Sequence, residues 1–106
     1  MMAFTFDYHI GTRHSTLMPS DQVIEEKPVL RFTVSYPLTS SYEAHLTHED
    51  GRGWNEQEFA NAVSDAYEAV YADLETYEPW GHNIDELFLE GAERLDDGTW
   101  SLMVGS

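Results

Sequence analysis

His45-Leu46-Thr47-His48-Glu49-Asp50 is the densest run of potential metal ligands in the chain. On a helix, histidines at i and i+3 would share a face. On a strand they point to opposite sides, so His45 and His48 could serve one ion only if the strand ended between them. A polar strand end running into a turn accounts for the same residues. Trp80-Gly81-His82 is the second locus. There His82 suits either a C-terminal helix cap, favoured by the helix dipole, or a general base poised by Glu78 or Asp85. Glu90, beside Gly91, is the best single carboxylate to complete a pocket with Trp80 and His82, and a solvated strand face is the plainer account of it. No glycine-rich phosphate loop, nucleophile elbow or Walker-type lysine occurs. The absence of cysteine removes disulfides, thiolate zinc sites and thiol nucleophiles.

Charge is the other chemical resource. From Gly53 to Glu93 there are eleven carboxylates and no lysine or arginine. The formal net charge is −15 over 106 residues. It is unevenly placed: residues 1–36 hold four acids and three bases, residues 37–106 sixteen acids and two bases. Such a field repels nucleic acid and anionic membranes and attracts basic proteins, cations or polyamines. Solvation, as in chains adapted to salt, explains the same composition. An ordinary helix mixes signs, because Glu and Lys one turn apart stabilise each other, and here that option is unused.

The elements that must position these groups follow from periodicity. Phe4, Phe6, Tyr8 and Ile10 alternate with polar residues, predicting a strand. Residues 11–28 lack a period and predict a long loop, with a helical turn at 21–26. Leu30, Phe32, Val34 and Tyr36 predict a second strand, stopped by Pro37, and Tyr42, Ala44 and Leu46 a third. Asn55 with Glu58 three residues on forms a capping-box pattern, with Trp54 and Phe59 as its hydrophobic staple. The helix is expected over 56–77, burying Phe59, Val63, Ala66, Tyr67, Val70, Leu74 and Tyr77. Tyr67, Tyr71, Tyr77 and Trp80 make an aromatic series towards its end, with Tyr71 at the edge of the stripe. Pro79 and Gly81 terminate it. Residues 84–95 predict a strand with Leu87, Leu89 and Gly91 on one face. Asp97-Gly98 supplies a hairpin turn, and Trp100, Leu102 and Val104 alternate on a last strand.

The segment Glu78-Pro79-Trp80-Gly81-His82-Asn83-Ile84-Asp85-Glu86-Leu87-Phe88-Leu89-Glu90-Gly91, with the ending Gly105-Ser106, resembles an uncharacterised family known best from plant proteins. In that family a Tyr-rich acidic helix precedes a Trp-Gly-His-Asp-Ile/Leu-x-Asp-Leu segment. Trp80, Gly81, His82, Ile84, Leu87, Leu89, Glu90 and Gly91 match the pattern, and Ala66, Tyr67 and Tyr71 resemble the helix. The likeness spans about residues 53–106. This chain departs from it by joining helix and motif almost directly, and by Asn83 and Glu86 where the pattern favours Asp. The resemblance implies a shared α+β domain and no activity.

The expected architecture is a single α+β domain over 1–106: an antiparallel sheet of about five strands, order β-β-β-α-β-β, under one long amphipathic helix. The opening Met-Met-Ala-Phe-Thr-Phe lacks the basic and apolar regions of a signal peptide, so a cytoplasmic protein is expected. The preferred functional reading is a non-enzymatic acidic interaction module. It would bind a basic protein surface through Glu58, Asp65, Glu68, Tyr71 and Glu75, and an inhibitor is one form it could take. No cofactor, direct nucleic-acid contact or membrane contact is expected, and the chain would be a monomer or weak homodimer. The alternative is a small-molecule or metal-binding domain, or an unassigned hydrolase, using His45, His48 or His82.

Overall fold

The helix begins as its first residues dictate. The Asn55 side chain accepts the Glu58 backbone N–H at 2.8 Å, and the Glu58 carboxylate accepts the Asn55 N–H at 3.1 Å, so the capping box is closed. From there α1 runs over Glu56–Tyr71 and buries Phe59, Val63, Ala66, Tyr67 and Val70 along one stripe. It stops at Tyr71, short of the expected 77. The Asp73 N–H turns back to the Val70 carbonyl, three residues away. The last turn holds no base, while Asp73 and Glu75 follow at the end where the dipole disfavours anions. The computed structural model describes residues 2–15, 22–38, 40–73, 75, 81 and 83–106. The expected helical positions Leu74 and Tyr77, and the terminator Pro79, lie outside them.

Among the described residues seven strands accompany α1: β1 (Met2–His9), β2 (Val23–Glu25), β3 (Val29–Val34), β4 (Tyr42–Thr47), β5 (Trp54–Asn55), β6 (Phe88–Arg94) and β7 (Trp100–Gly105). Five of them form one sheet in the order β1-β6-β7-β3-β4, and β2 pairs with β5 in a second, two-stranded sheet. The α+β class is therefore as expected, but the large sheet is mixed. The C-terminal hairpin β6–β7 inserts between β1 and β3, and β7 runs parallel to β3. Two local expectations are corrected. Residues 22–25 of the long connection hold strand β2 and not a helical turn, because Ile24 and Glu25 turn inward. Residues 84–86 form a 3-10 turn ahead of β6, which leaves Leu87 buried at the junction.

Alternation along each strand sends one set of side chains under the helix: Phe6, Tyr8 and Ile10 from β1 and its exit, Leu30, Phe32 and Val34 from β3, Ala44 from β4, Leu89 and Ala92 from β6, and Trp100 from β7. Phe59 is the centre of this layer. Its ring lies 5.2 Å from Trp100, 5.7 Å from Phe6 and 6.1 Å from Phe32, so one helical residue touches three strands. The layer's polar atoms are satisfied: Ser64 Oγ donates to the Ile10 carbonyl at 2.8 Å, and Tyr67 Oη to the Tyr36 carbonyl at 2.6 Å. The opposite face of the sheet carries small and polar residues together with the exposed apolar side chains of Val29, Phe88 and Met103. There Met103 lies across Gly91, where any Cβ would press on its methyl group, and Glu90 lies across Gly105.

Truncating Phe59 to Ala should cost about 3–5 kcal/mol of unfolding free energy, and Asn55→Ala about 1 kcal/mol. Urea denaturation followed by circular dichroism checks both, and comparable losses for the two would contradict the central place given to Phe59.

Candidate functional site

Helix periodicity places Glu58, Asp65 and Glu68 on the flank of α1 that faces away from the core, as the sequence requires. The fold then supplies internal partners for all three. Arg13, in the segment that turns back after β1, reaches Asp65 Oδ1 at 2.5 Å and Glu68 Oε1 at 3.2 Å. Its backbone has φ 60°, a left-handed value that costs a non-glycine residue about 1 kcal/mol or more. Asp65 remains 68% exposed and Glu68 53% exposed on their side chains, so the clasp occupies one oxygen of each carboxylate and covers neither. Glu58 is tied more closely: it closes the capping box, accepts from Arg52 Nη1, and lies 3.5 Å from His48 Nε2. Burial acts to raise its carboxyl pKa. The Arg52 guanidinium and the Asn55 N–H outweigh that and hold it below the ordinary range.

At the other end of the helix the last turn holds no base. Asp73 and Glu75 are exposed just past α1. The 3-10 turn carrying Asp85 and Glu86 packs against the helix and brings Glu86 near Tyr71. Tyr71 is half-buried against the core, and burial, then Glu86 and Tyr36, push its phenol pKa up. The result is a polar aromatic ring beside a carboxylate, at the end of the helix where backbone carbonyls already concentrate negative potential.

The two histidines of the ligand-rich run have separate settings. His48 stacks on Trp54 with ring centroids 3.7 Å apart, and its Nδ1 lies 3.0 Å from the Gly53 carbonyl. It thus joins Arg52 and Glu58 in pinning the turn that leads into the helix. His45 is exposed on β4, directly across from Arg31 of β3. Among the described residues no group of three His, Asp or Glu has the geometry to hold a metal. Trp80 and His82 lie outside the described residues. Glu90 is exposed on the face of β6 turned away from the helix.

Sequence reasoning missed Glu25. Only 4% exposed, it accepts from Arg94 Nε at 3.1 Å and from Trp100 Nε1 at 3.3 Å on the same oxygen, Oε1. It ties the small sheet to β6 and β7 and forms the inner wall of a cleft of about 360 Å3, bounded also by Val23, Glu26, Lys27 and Arg94. The one local signal is its place beside Ile24 in an otherwise polar stretch, and that does not distinguish a buried carboxylate from a solvated one.

Comparison with known proteins finds no matching family model, no matching curated protein and no matching solved structure. The likeness of residues 53–106 to the plant family therefore rests on the quoted residues alone.

Two outcomes are expected. Arg94→Met should destabilise by about 3 kcal/mol, because it leaves the Glu25 carboxylate buried without its cation, whereas Glu25→Gln should cost about 1 kcal/mol; equal losses in denaturant titrations would refute the pairing. Glu58→Gln keeps the capping-box pattern but removes the charge. Since the folded-state pKa of Glu58 lies below the ordinary 4.5, its charge stabilises the fold above that value and ceases to do so as pH falls through the folded value. The deficit of Glu58→Gln should be full near neutrality and vanish in acid, as read from paired melts across pH.

Proposed function

We propose that this chain is a non-enzymatic interaction module that engages a basic protein surface through the acidic flank and C-terminal end of α1. One observation carries the reading. Asp73 and Glu75 follow a helix whose last turn has no base, and Glu86, on the turn that packs against that helix, lies near Tyr71. Carboxylates and an aromatic ring together suit Arg or Lys, through ion pairing and cation–π contact. An inhibitor that covers a nucleic-acid-binding surface is one form such a module takes, since the same charge that repels phosphate attracts the proteins that bind it. Arg13 then has a second meaning: it already sits, in a costly backbone conformation, where a partner's guanidinium would sit on Asp65 and Glu68.

The groove of about 240 Å3 bounded by Leu46, His48, Trp54, Glu58, Asn61 and Ala62 supports a second reading, a small-molecule site with His48 in its wall. Saturable shifts of the His48 ring signals in an NMR ligand screen would favour it.

Calorimetric titration with an Arg- and Lys-rich peptide tests the first reading. Affinity should fall steeply as salt shortens the Debye length from about 30 Å to about 8 Å. Glu68→Gln with Glu75→Gln should weaken binding about tenfold, some 1.4 kcal/mol. Arg13→Gln should tighten it, by releasing two carboxylates. Unchanged affinity in both variants would sink the proposal, and a chain that folds only above about 1 M salt, where screening is nearly complete, would reassign the acidity to solvent adaptation.

A further inference from the structure

The two edges of the large sheet are finished differently. At β1 the register slips between Thr5 and Tyr8, and the chain beyond folds back over the strand's end: Tyr8 bridges to Ser15, the His9 N–H reaches the His14 carbonyl, and Ser15 Oγ reaches the Asp7 carbonyl. A bulge and a covering segment are the usual ways to keep an edge from pairing. β4 has neither. Its six residues run in unbroken register with β3, they include no proline or lysine, and among the described residues no strand lies beyond it.

The ladder fixes which backbone groups that edge offers. His48 N–H bonds the Pro28 carbonyl. Antiparallel alternation then makes Leu30–Leu46, Phe32–Ala44 and Val34–Tyr42 the bonded pairs, so the N–H and C=O groups of Glu43 and His45 point away from β3. Their side chains stand on the helix-free face, and Tyr42, Ala44 and Leu46 stand on the helix side.

We propose that β4 pairs antiparallel with the β4 of a second copy about a two-fold axis at Ala44, joining two sheets into one of ten strands. The side chains select both the partner and the register. With Ala44 on the axis, Glu43 faces His45 of the partner subunit twice over, a carboxylate opposite a ring N–H donor. Tyr42 faces Leu46 of the partner subunit, again twice over, as an apolar pair, and the small Ala44 lets the strands close to the short spacing of a non-bonded pair. Shifting the axis to Glu43 would oppose two carboxylates, and shifting it to His45 would oppose two imidazoles. A basic extended peptide is the less suited occupant, because the outward side chains of this edge balance one acid with one imidazole. The net charge of −15 on each chain opposes association, so the dimer strengthens as salt rises, opposite to the trend expected for a basic partner.

Light scattering on the intact chain at about 0.05 and about 1 M salt reads the mass. We expect a shift from 12.1 kDa towards twice that value as salt increases. His45→Glu should abolish the shift by opposing like charges, and Glu43→Lys combined with His45→Glu should restore it by exchanging the pair. In the otherwise cysteine-free chain, Ala44→Cys should give a covalent dimer under mild oxidation, since the pair meets on the axis within disulfide reach, whereas Thr47→Cys should not. Far-UV circular dichroism confirms that each variant is folded. A wild-type monomer in high salt overturns the proposal. So does a dimer indifferent to the charge reversal, or equal cross-linking at 44 and 47.

Discussion

Phe59 sits where three strands and the helix converge, and the remainder of the fold depends on its burial. A sheet of five strands has more apolar face than one helix of sixteen residues can cover with aliphatic side chains alone. Aromatic area makes up the difference. The rings of Phe6, Phe32 and Trp100 fan around Phe59 in stacked, tilted and edge contacts respectively, each contributing beyond its buried area. Trp100 is held in that fan from behind, by its indole N–H on the Glu25 carboxylate. The packing of the helix is thereby linked to the small sheet, whose Ile24 and Trp54 belong to the same buried core.

The same economy explains the surface. Once one face of the sheet is covered, the other must be made tolerable to water without a second layer. Gly91 and Gly105 allow Met103 and Glu90 to lie flat across it. On the helix, three carboxylates of the acidic flank are answered by just two arginines, Arg13 and Arg52, each bridging more than one acid. The Arg13 bridges span elements far apart in sequence, whereas Arg52 ties its own turn to the first turn of the helix. The acidic flank of the helix is therefore partly neutralised from within the fold.

Much of the fold was legible in the sequence. The alternation of Phe4, Phe6 and Tyr8, that of Leu30, Phe32 and Val34, the Asn55–Glu58 capping pair and the Asp97-Gly98 turn are all local signals, and each element stands where they place it. Strand order was not legible, because period-two patterning says which face is buried and not which strand lies alongside. Glu25 and Arg13 escaped for the same reason. Their partners stand 69 and 52 positions away, and a charged residue looks the same in sequence whether it meets water or another chain segment. The helix end was misjudged because the apolar period continues past Tyr71, while hydrogen bonding and the accumulation of acids favour an earlier stop. Of the acidic surface, its placement on the outer flank of the helix could be foreseen. Its internal neutralisation could not.

The insertion of the last hairpin between β1 and β3 also bears on how the molecule is made. As the chain leaves the ribosome, β1, the β3–β4 hairpin and the whole of α1 emerge before either strand that lies between them exists. The nascent protein can wind its helix and close one hairpin. Phe59, however, has only the β3–β4 part of its site, and Phe6 no neighbouring strand, until residues 88–105 arrive and thread into the gap. Assembly is then dominated by contacts distant in sequence, which makes for slow folding with apolar surface exposed meanwhile. The dense negative charge, already synthesised by that stage, keeps such half-made chains apart while the central strands are completed.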